Sequence, residues 1–215
     1  MPDRQIPAPI AFRRAGYDVG MKKQSRKEKP EPTPTVSRVL EDGTIVELVY
    51  RAGEKRTSLV IAEANGDWRY EDEFLTRAGE RLVPYSAHNN LIANECVLLP
   101  SDVTDHGGKD RLREDVRAFL HRYTDLSPEF ETIASYYVLL TWVYDAFNEV
   151  PYLRFRGDYG TGKTRGLMTI GSLCYKSFFA SGASTVSPIF HTLDSFGGTL
   201  ILDEADLRFS DAKAD

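Results

Sequence analysis

Between residues 44 and 62 polar and apolar side chains alternate in two short runs, Thr44-Ile45-Val46-Glu47-Leu48-Val49-Tyr50 and Thr57-Ser58-Leu59-Val60-Ile61-Ala62. A period near two, rich in Val and Ile, is the pattern of half-buried strands. Ala52-Gly53-Glu54-Lys55 separates the runs, and Asp42-Gly43 and Asn65-Gly66-Asp67 bracket them as hairpin punctuation. The pattern predicts a small β-rich module over residues 36–105, looser towards Cys96, with no chemistry of its own. Asp105-His106-Gly107-Gly108 reads as a solvent-facing turn, not a ligand loop.

The period then lengthens. Leu112, Val116, Phe119 and Leu120 share one side of a helix predicted over residues 111–123. A second helix is predicted from Ser127 to about residue 148. Ser127 supplies the N-cap, Pro128 suits the first helical position and Glu129 faces the positive dipole end. Ile133, Tyr137, Leu140 and Phe147 lie on one face, and Leu139, Trp142 and Ala146 on another, so this helix is expected to be buried all round. Its Tyr and Trp side chains read as core packing instead of a base-stacking surface. The two helices make a helical segment over residues 106–150.

Residues 151–215 alternate differently. A short β-type run, residues 152–156, leads into Gly157-Asp158-Tyr159-Gly160-Thr161-Gly162-Lys163-Thr164, and a helix is expected over residues 165–175. The motif is G-x-x-x-x-G-K-[ST] in its strand–loop–helix context. Glycines let the backbone curl so that successive N–H groups face phosphate oxygens, and the helix start adds its unpaired N–H groups and positive dipole end. Lys163 supplies a cation for the β- and γ-phosphates, and the Thr164 hydroxyl can ligate Mg²⁺. Gly157, Asp158, Tyr159, Gly160, Thr161, Gly162, Lys163, Thr164 and Arg165 are the nucleotide-binding candidates.

Further on, Gly198-Thr199-Leu200-Ile201-Leu202-Asp203-Glu204 is an apolar run ending in two acids. A buried parallel strand reads this way, and open α/β sheets place ligands at strand C-terminal ends. Asp203 is therefore the candidate Mg²⁺-side carboxylate together with Thr164. Glu204 is the candidate catalytic base that polarises the attacking water, with Lys163 stabilising the phosphates. Between the motifs lie a strand expected over residues 176–180, a small-residue loop with Ser184 and Thr185, and a helix expected from Ser187-Pro188 to about residue 195. His191 falls mid-helix, where a packed or surface role outweighs a catalytic one. The order strand, P-loop, helix, strand, helix, strand predicts the βαβαβ half of an α/β fold.

Charge and composition add bounds. The 215 residues are 41% hydrophobic and 27% charged, an ordinary globular balance. The net charge of -5 is uneven: residues 1–35 hold eight Lys/Arg against four acids, so the rest stands at -9. That Pro-rich basic tail is expected to be disordered, and it is the one feature of the charge pattern that hints at a polyanionic partner. Cys96 and Cys174 are far apart and are expected to be small buried hydrophobes in a reducing compartment. No signal core or bilayer-length apolar stretch is present, which gives the expectation of a cytoplasmic protein without a membrane partner.

The motifs at residues 157–164 and 200–204 together resemble P-loop ATPases of the AAA+/RecA-like group, which carry a glutamate beside the Walker-B aspartate. Asp203-Glu204-Ala205-Asp206 also spells the tetrapeptide of the DEAD-box helicases, but forty residues separate Lys163 from Asp203, too few for that family's intervening motifs. Residues 127–215 are more specifically similar to ATPase modules of phage and mobile-element primase-helicase proteins, through Ser187-Pro188-Ile189-Phe190 followed closely by the Asp203-Glu204 run. The resemblance implies a three-layer P-loop NTPase core with ATP and Mg²⁺, a DNA partner and a homo-oligomer, a hexamer. It also implies a strand between the Walker-A and Walker-B strands, which residues 207–215 are too short to supply, so the core is expected to be truncated after Walker B and inactive alone. Arg208 is too close to Walker B to serve as an arginine finger. A P-loop small-molecule kinase and a nucleotide-binding scaffold or inactive fragment are the alternatives.

Overall fold

The computed structural model describes residues 29–181 and 184–203. It is a mixed α/β structure with three small sheets and five helices among the described residues. Residues 1–28, which make up most of the basic tail, and Glu204, Asp206 and Arg208 lie outside the described residues.

Strand β1 (Pro32–Thr35) runs parallel to β7 (Arg81–Pro84), which pairs on its other side with β6 (Phe74–Leu75). The tail expected to be disordered to residue 35 thus becomes a strand at Pro32. Its prolines are tolerated because β1 is an edge strand, where an absent N–H breaks no ladder. The second sheet has the order β2 (Ser37–Val39), β3 (Ile45–Arg51), β4 (Arg56–Ala62), β5 (Trp68–Glu71), all antiparallel. Its turns use the residues read from the sequence. Gly43 (φ 81°) and Gly66 (φ 93°) adopt the left-handed region, and Thr44 N–H and Asp67 N–H donate to Asp42 Oδ1 and Asn65 Oδ1.

After the single-turn α1 (Asn90–Ala93), helices α2 (Lys109–Tyr123) and α3 (Pro128–Thr141) pack on each other. Ser127 Oγ accepts from Phe130 N–H at 3.3 Å, the expected N-cap. The inward face of α3 differs from the expected one. Glu131, Ala134, Ser135, Val138 and Thr141 are buried, whereas Ile133 is 55% exposed and Tyr136 and Phe147 also face solvent. Small and hydrogen-bonded residues let α2 approach closely: Ser135 and Thr141 donate to backbone carbonyls of their own helix, and Glu131 meets His121 of α2 at 2.8 Å. The helix stops at Thr141, and a short 3-10 turn follows at Tyr144–Ala146.

Helix α4 (Lys163–Gly171), strand β8 (Phe178–Ser181), helix α5 (Val186–Phe196) and strand β9 (Leu200–Asp203) complete the described chain. Strands β8 and β9 are parallel, with Phe178 opposite Leu200 and Ser181 opposite Asp203. The run at residues 152–156, expected as the Walker-A strand, forms no ladder. Among the described residues no strand lies beside it to take its backbone bonds, and Leu153 and Phe155 hold it instead by docking on the helices. Thr185, not Ser187, is the N-cap of α5.

Two apolar cores result. Val116 and Leu120 of α2, Ala134 and Val138 of α3, and Ile170 and Cys174 at the end of α4 form one. The other joins Val46, Leu48, Leu59 and Ile61 of the β-rich module to Phe178 and Phe196, with Leu193 and Leu200 packed against it. Each fully buried Leu or Ile contributes about 1.5–3 kcal/mol, and Phe178 of β8 and Leu200 of β9 join their strands to the apolar side chains of the β-rich module. Burial pushes the Cys174 thiol up to about 11, a packing residue as expected, whereas Cys96 is exposed in the turn after α1. Among the described residues no helix is long and apolar enough to cross a membrane.

Candidate functional site

The glycine-rich loop runs from Gly157 into α4. Gly160 and Gly162 both sit at φ 81°, in the left-handed region that a side chain disfavours. Gly162 is the residue before α4 and offers no side-chain cap, so the first N–H groups of that helix meet no capping oxygen of its own N-cap. Thr161 Oγ1 donates to the Asp158 carbonyl at 2.9 Å, which keeps the loop in a tight turn. A Cβ on Gly157 would lie 2.9 Å from that Thr161 hydroxyl, so a side chain there would compete with the hydroxyl that closes the turn. Tyr159 stands fully exposed at the tip.

Lys163 bends back across the loop and donates from Nζ to the carbonyls of Gly157 at 2.8 Å and Asp158 at 2.6 Å. Its ammonium therefore lies inside the curve of the loop. One residue on, Thr164 Oγ1 donates to Asp203 Oδ2 at 2.7 Å. These two residues are 39 positions apart, and three elements bring them together. The β8–β9 register carries Asp203 to the strand end, and α4 packs on that sheet at Gly171. A Cβ on Gly171 would stand 2.9 Å from Ile201 and 3.1 Å from Phe179. At its other end α4 is held by Gly166, over which the Phe155 ring sits so closely that a Cβ would lie 2.9 Å from it.

Of the residues singled out from the sequence, the loop glycines, Lys163, Thr164 and Asp203 thus converge. Arg165 is solvent-exposed on α4, as are Arg154 and Arg156 before the loop. Ser184 caps the turn after β8, accepting from Ser181 N–H at 3.2 Å. His191 is exposed on α5 and His106 is exposed in the segment before α2. Glu204 lies outside the described residues.

The donor set fits a phosphorylated ligand carrying Mg²⁺. Two left-handed glycines, a helix start, one ammonium and a hydroxyl suit phosphate oxygens. The Thr164 and Asp203 oxygens are hard ligands in the right pairing for a small cation. No group of three or more His, Cys, Asp or Glu gathers among the described residues, so these residues alone form no complete metal cage. Mg²⁺ characteristically takes one or two protein oxygens and completes its shell with phosphate and water.

Sequence reasoning passed over Glu47, Tyr175 and Lys176, which join β3 to the segment between α4 and β8. The available signal was a lone lysine inside the apolar run Leu173-Cys174-Tyr175-Lys176-Ser177-Phe178-Phe179. Comparison with protein-family models, with characterised proteins and with solved structures finds no match to this chain.

Proposed function

We propose that the chain binds ATP with Mg²⁺ at residues 157–165 and Asp203, and hydrolyses it, as the ATPase module of a nucleic-acid-processing motor. The observation that carries the nucleotide reading is the 2.7 Å contact between Thr164 and Asp203. Thr164 comes from the glycine-rich motif and Asp203 from the apolar run that, paired with that motif, was read for the same cation.

In this reading the loop N–H groups and the start of α4 bind the phosphates, and Lys163 exchanges its two carbonyl partners for phosphate oxygens. Thr164 and Asp203 hold Mg²⁺, which when bound neutralises phosphate charge. Glu204 takes a proton from the attacking water. The motor assignment, with DNA as partner and a hexamer as the working form, rests on the resemblance of residues 127–215 to primase-helicase ATPase modules. Asp203 followed by an acid favours water activation over a kinase's acceptor hydroxyl.

The test is equilibrium binding of a fluorescent ATP analogue with and without Mg²⁺, together with phosphate release with and without single-stranded DNA. Lys163→Ala is expected to abolish binding while leaving the fold intact. In a form of the protein that turns ATP over, Glu204→Gln is expected to bind normally and to lose turnover by a factor on the order of 10². Wild-type affinity in the Lys163 variant would overturn the nucleotide reading. Turnover indifferent to DNA would leave an ATPase and remove the motor.

A further inference from the structure

The connector between α4 and β8 joins the element that carries Thr164 to the strand whose register places Asp203. Ser172 and Cys174 are tied back to α4, but the next two side chains, Tyr175 and Lys176, are fastened outside the α4–β8–β9 unit. Lys176 has a fully buried side chain, and its Nζ lies 2.8 Å from Glu47 Oε1 on β3 of the β-rich module. Tyr175 Oη donates to Glu47 Oε2 at 2.8 Å and lies 3.1 Å from Ser37 Oγ on β2. The Lys176 ammonium also stands 4.5 Å from the centre of the Tyr175 ring. The cluster forms part of the wall of a cavity of about 740 Å³, beside Trp142 and Tyr144.

The connector's backbone is equally constrained. Lys176 holds φ 43°, in the left-handed region uncommon for a side-chain-bearing residue. Leu98 N–H donates to the Ser177 carbonyl at 2.8 Å, and Phe178 N–H donates to Thr199 O at 3.0 Å, directly ahead of β9. Tyr175 N–H donates to Thr141 Oγ1 at the end of α3.

We propose that Glu47, Tyr175 and Lys176 form a buried latch through which the β-rich module positions Asp203 against Thr164. The three are positioning residues, and their consequence for ligand binding rests on the reading of Thr164 and Asp203 as the Mg²⁺ end of a nucleotide site. A buried ion pair is a poor source of stability. Desolvation offsets most of its attraction, and well-packed apolar residues often serve as well or better. Burial here pulls the lysine's pKa below its ordinary value, and Glu47 only partly opposes it. What the pair adds over an apolar contact is direction: one lysine, one carboxylate and one phenol admit a single arrangement of the connector. That connector fixes both where α4 ends and where β8 begins. Releasing it lets β8, and with it the paired β9, shift against α4, and the Thr164–Asp203 contact is where that shift is felt.

Hydrogen exchange followed by mass spectrometry tests the latch directly, and nucleotide binding tests its consequence. Tyr175→Phe and Lys176→Met are compared with Arg56→Ala, which breaks an exposed module pair, Arg56–Asp72, at 2.8 Å. In both latch variants, amides of residues 198–203 are expected to exchange about tenfold faster while those of β3 keep their protection. The gain in nucleotide affinity on adding Mg²⁺ is expected to fall about tenfold, with the Mg²⁺-free affinity within about twofold of wild type. The Arg56 variant is expected to change neither. A purely structural role would lower both affinities together. If Lys176→Met does not fold, Tyr175→Phe decides, since it removes only one hydroxyl. Wild-type exchange at residues 198–203 in a folded Tyr175→Phe protein would overturn the latch. A wild-type chain that binds no nucleotide would overturn the nucleotide reading alone, and the exchange result would still decide the latch.

Discussion

Gly198 is the position where a single methyl group is expected to do most damage to this part of the fold. Its φ is 90°, and a Cβ there would press on the carbonyl oxygen of Lys176 while standing 2.7 Å from the Lys176 Cβ and 3.0 Å from its carbonyl carbon. These are backbone and near-backbone atoms of a residue that is itself locked by Glu47, so no side-chain tip can swing away. Left-handed backbone costs an alanine roughly 1–2 kcal/mol. Relieving the overlap by parting residue 176 from residue 198 adds about 1–3 kcal/mol. Reduced freedom of the unfolded chain returns roughly 0.4–1 kcal/mol. Gly198→Ala should therefore lose about 2–4 kcal/mol, a fall in melting temperature of roughly 5–15 °C for a chain of this size. Gly53→Ala is the control. It lies in the 3-10 turn Ala52–Glu54 with no heavy atom within 4 Å of its Cβ position, and a change within about 0.5 kcal/mol is expected. Calorimetric or urea unfolding of the two variants measures the difference. A Gly198→Ala protein melting within about 2 °C of the Gly53→Ala protein would refute the argument that residues 176 and 198 set the entry to β9.

Two further outcomes follow from the same geometry. Ser127→Ala removes the oxygen that accepts from Phe130 N–H and should cost about 1 kcal/mol, read as a lowered urea midpoint with an unchanged slope. Asp203→Asn keeps the size of the side chain but not its charge, so under the nucleotide reading it should weaken the magnesium dependence of binding much more than the Mg²⁺-free affinity, measurable by titration at fixed nucleotide.

The legible features of the chain are those fixed by neighbours in sequence. Asp42-Gly43 and Asn65-Gly66-Asp67 make their turns because the amide and carboxylate oxygens reach N–H groups two residues on. Ser127 caps α3 for the same local reason. The features that were not legible depend on what arrives from elsewhere. Proline-rich residues 32–35 become a strand because β7 offers a parallel partner on one side only. Helix α3 buries Glu131 and Ser135 in preference to Ile133 because α2 supplies His121 and needs a close approach. Residues 152–156 have β-type composition and yet pair with nothing among the described residues, since a ladder requires a neighbour that composition cannot supply. Lys176 was hidden most completely. The apolar run around it marks the lysine as buried, but its partner Glu47 is 129 residues away and nothing local points to it.

The direction of the hydrogen bond between Thr164 and Asp203 divides the work of the two residues. A threonine hydroxyl has one proton and two lone pairs. Here the proton goes to the Asp203 carboxylate at 2.7 Å, which leaves the lone pairs of Thr164 for a hard cation and makes its oxygen a better donor of electron density. Under the nucleotide reading Asp203 then stabilises Mg²⁺ with the hydroxyl it holds and through water, which suits an ion that dehydrates reluctantly and keeps several waters in octahedral geometry. In that reading charge at residue 203 matters through orientation as well as attraction: asparagine can still accept from Thr164, but without the negative charge that attracts a divalent ion. The same logic explains why the strand entry at Gly198 and the connector at Lys176 bear on the site although they contribute no ligand. A 2.7 Å contact between residues on different elements tolerates only a few tenths of an ångström of sliding before the hydroxyl proton loses its acceptor, and the β-rich module is the body against which that sliding is resisted.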